Sequence, residues 1–150
     1  MKIINFIISL LSSLWLLGVG LLLFLAGFVA SFLSAMFFDA PTAKQDLIIE
    51  DFRMFLVAII LVIVALITLV FCIVGFVKRK KLTAYTVLNG INCGFNLIGY
   101  GLSIPLCFWV YNEPIDNSQL IFIWPIAGFA VTVVMIILTA INVVKEKAAH

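Results

Sequence analysis

Between Leu82 and Tyr111 the chain is apolar enough to enter a bilayer, yet it carries Asn89, Asn92 and Asn96 in its interior. Steps of three and four place these amides on one face of a helix. Tyr85 and Ser103 extend the stripe towards either end, and Cys93 flanks it. An amide turned towards hydrocarbon loses its water without replacement, so this face must meet another helix, a cavity or a partner. Two chemistries are open to it. The amides can bond between helices and hold a bundle or an oligomer together, at about 0.6–2 kcal/mol per bond. Alternatively they can line a polar pathway and replace the hydration of a bound or permeating solute.

The same segment holds further signals. Gly90 and Gly94 form a small-xxx-small pair on the neighbouring face, which predicts a helix contacted on more than one side. Pro105 has no amide hydrogen and would free the carbonyl of Gly101. With Gly99 this predicts a hinge, either a kink or a locally unwound turn. A second polar face lies near the end of the chain, where Gly128, Thr132, Met135, Thr139 and Asn142 recur at steps of four, three, four and three. Near its start, Ser13, Gly20, Gly27, Ser31 and Ser34 make a smooth stripe of small residues suited to close helix packing.

Absences narrow the function. No Asp, Glu, Lys, Arg or His lies within the hydrocarbon part of any apolar run, which disfavours proton-coupled transport. No serine has a His or Lys partner and no cysteine has a base, so nucleophilic catalysis is not expected. Glu113 and Asp116 flank Pro114 in a short turn, where solvation explains them better than acid–base work. Cys72, Cys93 and Cys107 have neither metal-site nor redox-pair spacing, and the single histidine is His150. The expectation is a protein that is not an enzyme and needs no cofactor or metal.

These features must be positioned by long apolar elements. The 150 residues are 65% hydrophobic and 11% charged, against roughly 25% charged in a soluble domain, so the chain reads as an integral membrane protein. With no basic face or soluble domain, nucleic acid is excluded as a partner. Four runs are long enough to span a bilayer: about 3–38, 52–77, 82–111 and 120–144. The first is too long for a secretory signal and lacks a small-residue cleavage site. Asp39-Ala40-Pro41 breaks it, and Thr42 with Gln45 fits a capping box for the next helix, as Asp116 with Gln119 does for the last. Arg53 can snorkel to headgroups, and Trp109 and Tyr111 suit an interface belt.

Charge sets an orientation. The 39–53 connection is net −2, residues 78–81 are +4, the turn with Glu113 and Asp116 is −2, and Lys2 and the tail from Lys145 are positive. By the positive-inside rule both termini and the basic loop are cytoplasmic. The sequence therefore predicts one all-α domain over 1–150, a compact bundle of four transmembrane helices. No internal repeat and no family motif emerges.

Three functions fit. The leading one is non-enzymatic helix–helix binding, as a small accessory or regulatory subunit or an immunity-type protein. It implies a membrane-protein partner or a homo-oligomer, with Asn89, Asn92, Asn96, Ser103, Thr132, Thr139 and Asn142 as the candidate interface, and Gly20, Gly27, Gly90 and Gly94 for close packing. The alternative is a small oligomeric channel or uniporter using the asparagine face as its pathway. The third is recognition of membrane lipids by Lys78, Arg79, Lys80 and Lys81, which otherwise serve as a topology determinant. A plasma membrane, in a prokaryote the inner membrane, is the expected setting.

Overall fold

The structure, a computed structural model, describes the backbone of residues 1–37, 41–111 and 123–149, and side chains within 1–29, 32–33, 36, 55–105 and 123–149. The chain is all-α, with α1 over Lys2–Phe37, α2 over Pro41–Val77, α3 over Leu82–Tyr111 and α4 over Ile123–Ala148. Among the described residues, Lys2–Val29, Phe55–Val77 and Ile123–Ala148 are long and apolar enough to cross a membrane. Within the described part of α3, Asn89, Asn92 and Asn96 interrupt an otherwise apolar sequence. The side chains of Thr42, Gln45, Arg53, Ser31, Ser34, Trp109 and Tyr111, and all of Glu113, Asp116, Gln119 and His150, lie outside the described residues.

The helices start and stop for local reasons. Pro41 opens α2, a position where the missing amide hydrogen costs nothing. Residues 78–81 form a tight turn, closed by Lys78 N–H to the Val74 carbonyl at 2.9 Å and Lys81 N–H to the Lys78 carbonyl at 3.0 Å. Pro125 is in the first turn of α4 and is buried there. The α3 helix runs without interruption through Gly99, Gly101 and Pro105, so the expected unwound turn is absent. Membrane helices tolerate an internal proline when neighbouring groups satisfy the freed backbone.

Sequential helices pack antiparallel. Phe6 stacks on Phe76 with centroids 4.1 Å apart, and Phe24 lies 4.8 Å from Phe55, so α2 runs back along α1. Phe71 faces Phe95 across α2 and α3, and Tyr100 faces Phe129 across α3 and α4. The circuit closes where α1 meets α4, and α1 also touches α3 across the diagonal, whereas α2 and α4 do not meet among the described residues. The apolar centre is Leu16, Val64, Ala65 and Tyr100, with Phe95, Trp124 and Phe129 around it. Outside, large apolar side chains such as Leu22, Val70, Ile126 and Val134 are exposed on α1, α2 and α4. Water would penalise such a surface, and hydrocarbon would not.

Small residues set how closely the helices approach. A Cβ on Gly20 would lie 3.1 Å from Val62 Cγ2 and 3.3 Å from the Val62 backbone nitrogen, and one on Gly27 would lie 3.7 Å from Phe55 Cα. Both glycines therefore face α2. Gly99 does a similar service on the diagonal, where a Cβ would come within 2.5 Å of a Leu16 methyl. It is a position of close packing. Gly90, Gly94 and Gly101 have nothing within 4 Å of such an atom, so the side of α3 with Gly90 and Gly94 is not contacted from within the described chain.

Candidate functional site

The polar residues of α3 close on α1 and α4 in three layers. In the first, Asn5 Nδ2 donates to the Tyr85 hydroxyl at 3.0 Å and to Thr139 Oγ1 at 2.9 Å, and Asn142 Nδ2 donates to the same Tyr85 oxygen at 3.1 Å. In the second, Asn92 Nδ2 donates to Ser9 Oγ. In the third, Ser12 Oγ donates to Asn96 Oδ1 at 3.1 Å and shares a 2.8 Å hydrogen bond with the Tyr100 hydroxyl. Asn96 Nδ2 ties the second and third layers together, donating to the Asn92 carbonyl at 2.9 Å and to Asn92 Oδ1 at 3.1 Å.

The helical repeat explains this alignment. Asn5, Ser9 and Ser12 step by four and three along α1, and Tyr85, Asn92, Asn96, Tyr100 and Ser103 occupy one stripe of α3. The two helices run parallel, so both rows advance in the same direction and each of Asn5, Ser9 and Ser12 meets a member of the α3 stripe. Asn92, Asn96 and Ser103 are 0% exposed.

The remaining expected site residues are buried too, but they bond locally. Asn89 donates to the Tyr85 carbonyl at 3.0 Å in its own helix, and its Oδ1 faces Gly75 of α2. Ser103 donates to the Tyr100 carbonyl, Thr132 to the Gly128 carbonyl and Thr139 to the Met135 carbonyl, at 2.5, 2.8 and 2.8 Å. Such back-bonding satisfies a hydroxyl within its own helix. Gly128 contributes by having no side chain, since a Cβ there would fall 2.2 Å from two Tyr100 ring carbons. Its bare backbone is the wall against which the Tyr100 ring stands, and that ring carries the hydroxyl to Ser12.

Sequence reasoning missed Asn5, Ser9, Ser12 and Tyr100 as members of the network. The available signal was the four-and-three spacing of Asn5, Ser9 and Ser12, which matches that of the asparagines.

Three buried polar atoms have no hydrogen-bond partner among the described residues: Asn5 Oδ1, Ser13 Oγ and Trp124 Nε1. Trp124 lies on a cleft of about 620 Å³ between α1 and α4, with Ser12, Trp15, Tyr100 and Gly128 also on its walls. A smaller groove, about 380 Å³, separates α3 from α4 and carries Thr86, Gly90 and Cys93 opposite Ile136 and Ala140. Among the described residues no three His, Cys, Asp or Glu side chains come together as a metal ion would require, and Cys72 and Cys93 are free thiols.

The end of the molecule where α1 begins is charged. Lys2 ion-pairs with Glu146 and donates to the Arg79 carbonyl at 2.7 Å, which draws the start of α1, the 78–81 turn and the end of α4 together. The Lys2 ammonium also lies 5.1 Å from the Tyr85 ring centroid, directly over the first polar layer.

No protein-family model matches the chain, and no curated protein or solved structure shows significant similarity to it. The geometry above is therefore the ground on which its function stands.

Proposed function

We propose that the chain is a non-enzymatic multi-pass membrane protein that acts by helix–helix binding, as a small accessory, regulatory or immunity-type subunit. In this reading all four helices span the membrane as one compact bundle. The asparagines of α3 are bonded and buried, so α3 needs no lipid-facing amide to cross. Both termini and the 78–81 turn lie on the cytoplasmic side, following the charge asymmetry of the connections. A plasma membrane, and in a prokaryote the inner membrane, suits that asymmetry.

One observation carries the reading. The polar groups of α3 are used within the chain, while Gly90 and Gly94 remain open beside the α3–α4 groove. A partner helix can approach closely over two bare glycines, and dispersion and weak Cα–H···O contacts supply the attraction. The interface thus moves from the asparagine face, where the sequence put it, to the face beside it. The channel alternative is less well supported, since Asn92 and Asn96 are 0% exposed and bonded to α1 or to each other.

The test is extraction in a mild detergent, followed by the mass and composition of the intact particle. A stoichiometric second membrane protein, or a second copy, is expected with the wild type and is lost with Gly90→Leu/Gly94→Leu, which leaves the monomer folded. A wild-type particle containing one chain alone contradicts the proposal.

A further inference from the structure

Where α1 begins and α4 ends, the fold forms a cavity of about 650 Å³, on whose walls stand Lys2, Arg79, Lys80, Asn142, Lys145 and Glu146. Lys2 and Glu146 neutralise each other. The other three cations have no acidic partner among the described residues. The Arg79 guanidinium carbon lies 4.0 Å from the centroid of the Phe76 ring, which orients the planar group without using its N–H donors. The Lys145 ammonium donates to the Met1 sulfur at 3.6 Å, a weak acceptor. Asn142 carries the wall inward to Tyr85 and the first polar layer.

Three unneutralised cations around one cavity call for an anion with several oxygens. A guanidinium fork takes two of them, and ammonium groups act as point charges on the rest. The cavity also sits where the apolar surface ends: Ile3 and Val77 beside it are exposed and apolar. That is the level at which headgroups meet a spanning helix. We propose that this cavity is a binding site for a phosphate ester, supplied by the headgroup of an anionic phospholipid or by a soluble phosphate.

The basic turn itself provides the control. Arg79 and Lys80 line this cavity, whereas Lys78 and Lys81 line a separate, mostly apolar hollow with Leu82, Val87 and Leu88. Removing either pair takes two positive charges from the same turn and disturbs topology and bulk attraction equally. Only the first pair empties the site of its donors.

The experiment uses the full chain in phosphatidylcholine nanodiscs containing graded phosphatidic acid, with retained lipid read by native mass spectrometry. Parallel discs without phosphatidic acid are titrated with inorganic phosphate, and ligand protection against thermal unfolding is read. Saturable binding of one phosphatidic acid assigns the headgroup, and saturable protection by inorganic phosphate alone assigns a soluble phosphate. In either case Arg79→Gln/Lys80→Gln is expected to weaken binding about tenfold more than Lys78→Gln/Lys81→Gln, a difference near 1.4 kcal/mol. Equal losses in the two pairs would mean diffuse attraction to a charged surface and would overturn the proposal. So would the absence of saturable binding of either probe by the wild type.

Discussion

Gly128→Ala is expected to destabilise the folded chain by about 2–3 kcal/mol, a large effect for one methyl group. The added Cβ would fall 2.2 Å from Tyr100 Cδ1 and Cε1 and 2.5 Å from Cγ. The ring cannot yield cheaply. Tyr100 is 1% exposed, it sits in the apolar centre with Leu16 and Val64, and its hydroxyl is bonded to Ser12 Oγ. Shifting it either opens α4 from α3 or breaks the third polar layer. Gly101→Ala is the matched control, because no described atom lies within 4 Å of its added atom, and alanine is the better helix former by about 1 kcal/mol. Unfolding in mixed micelles, followed by circular dichroism, should separate the two. Shortening the ring in Tyr100→Leu should suppress part of the Gly128→Ala cost, and strict additivity of the two losses would deny the contact.

The second large effect falls on the asparagines. Asn92→Leu/Asn96→Leu removes the bonds to Ser9 and Ser12 and the link between the two amides, and leaves the serine hydroxyls buried without those partners. Interhelical bonds in membranes are individually modest, and an orphaned buried group adds its own penalty, so the pair should cost about 2–4 kcal/mol. Asn89→Leu is expected to cost under about 1 kcal/mol, since Asn89 donates only to a carbonyl of its own helix. The same unfolding assay checks both. If the double variant loses a partner while its own stability is unchanged, the amides face outward and their internal bonding is refuted.

Much of the architecture was legible in the sequence because bilayer physics leaves few options. The apolar runs mark the helices, with α1 over Lys2–Phe37 and α3 over Leu82–Tyr111 following the first and third of them; Asp39 and Ala40 lie outside the described residues. The helix α2 begins at Pro41, next to the Thr42 start read from the sequence, and its polar opening turns precede the apolar run at Phe52. The helix α4 extends past Val144 through Lys145 and Lys147. Helical geometry covers both, whereas hydropathy marks only the part suited to lipid.

The polar and small-residue stripes of α1 and α4 pointed to those two helices as neighbours of the asparagine face; which face of α1 meets it was not legible. That depends on the axial register of α1 against α3, two helices separated by all of α2, and no local pattern encodes it. Asn5, Ser9 and Ser12 consequently passed as scattered residues. The glycines show the same limit: Gly90, Gly94, Gly99 and Gly128 read alike in sequence. Only their neighbours distinguish an open face at Gly90 and Gly94 from the Leu16 contact at Gly99 and the Tyr100 contact at Gly128.

The bundle is held together by the amides of α3 being spent on α1 within one chain. Ser9→Cys/Asn92→Cys tests this most directly, in a background with Cys72, Cys93 and Cys107 replaced by alanine and with mild oxidation in native membranes. The expected product is a disulfide within a single chain, seen as a monomer with altered mobility that reverts on reduction. No labelling by a membrane-impermeant thiol reagent is expected before unfolding. A covalent dimer through these positions, or rapid labelling of Asn92→Cys from either side, would place this face at a partner or a water-filled pathway and contradict it.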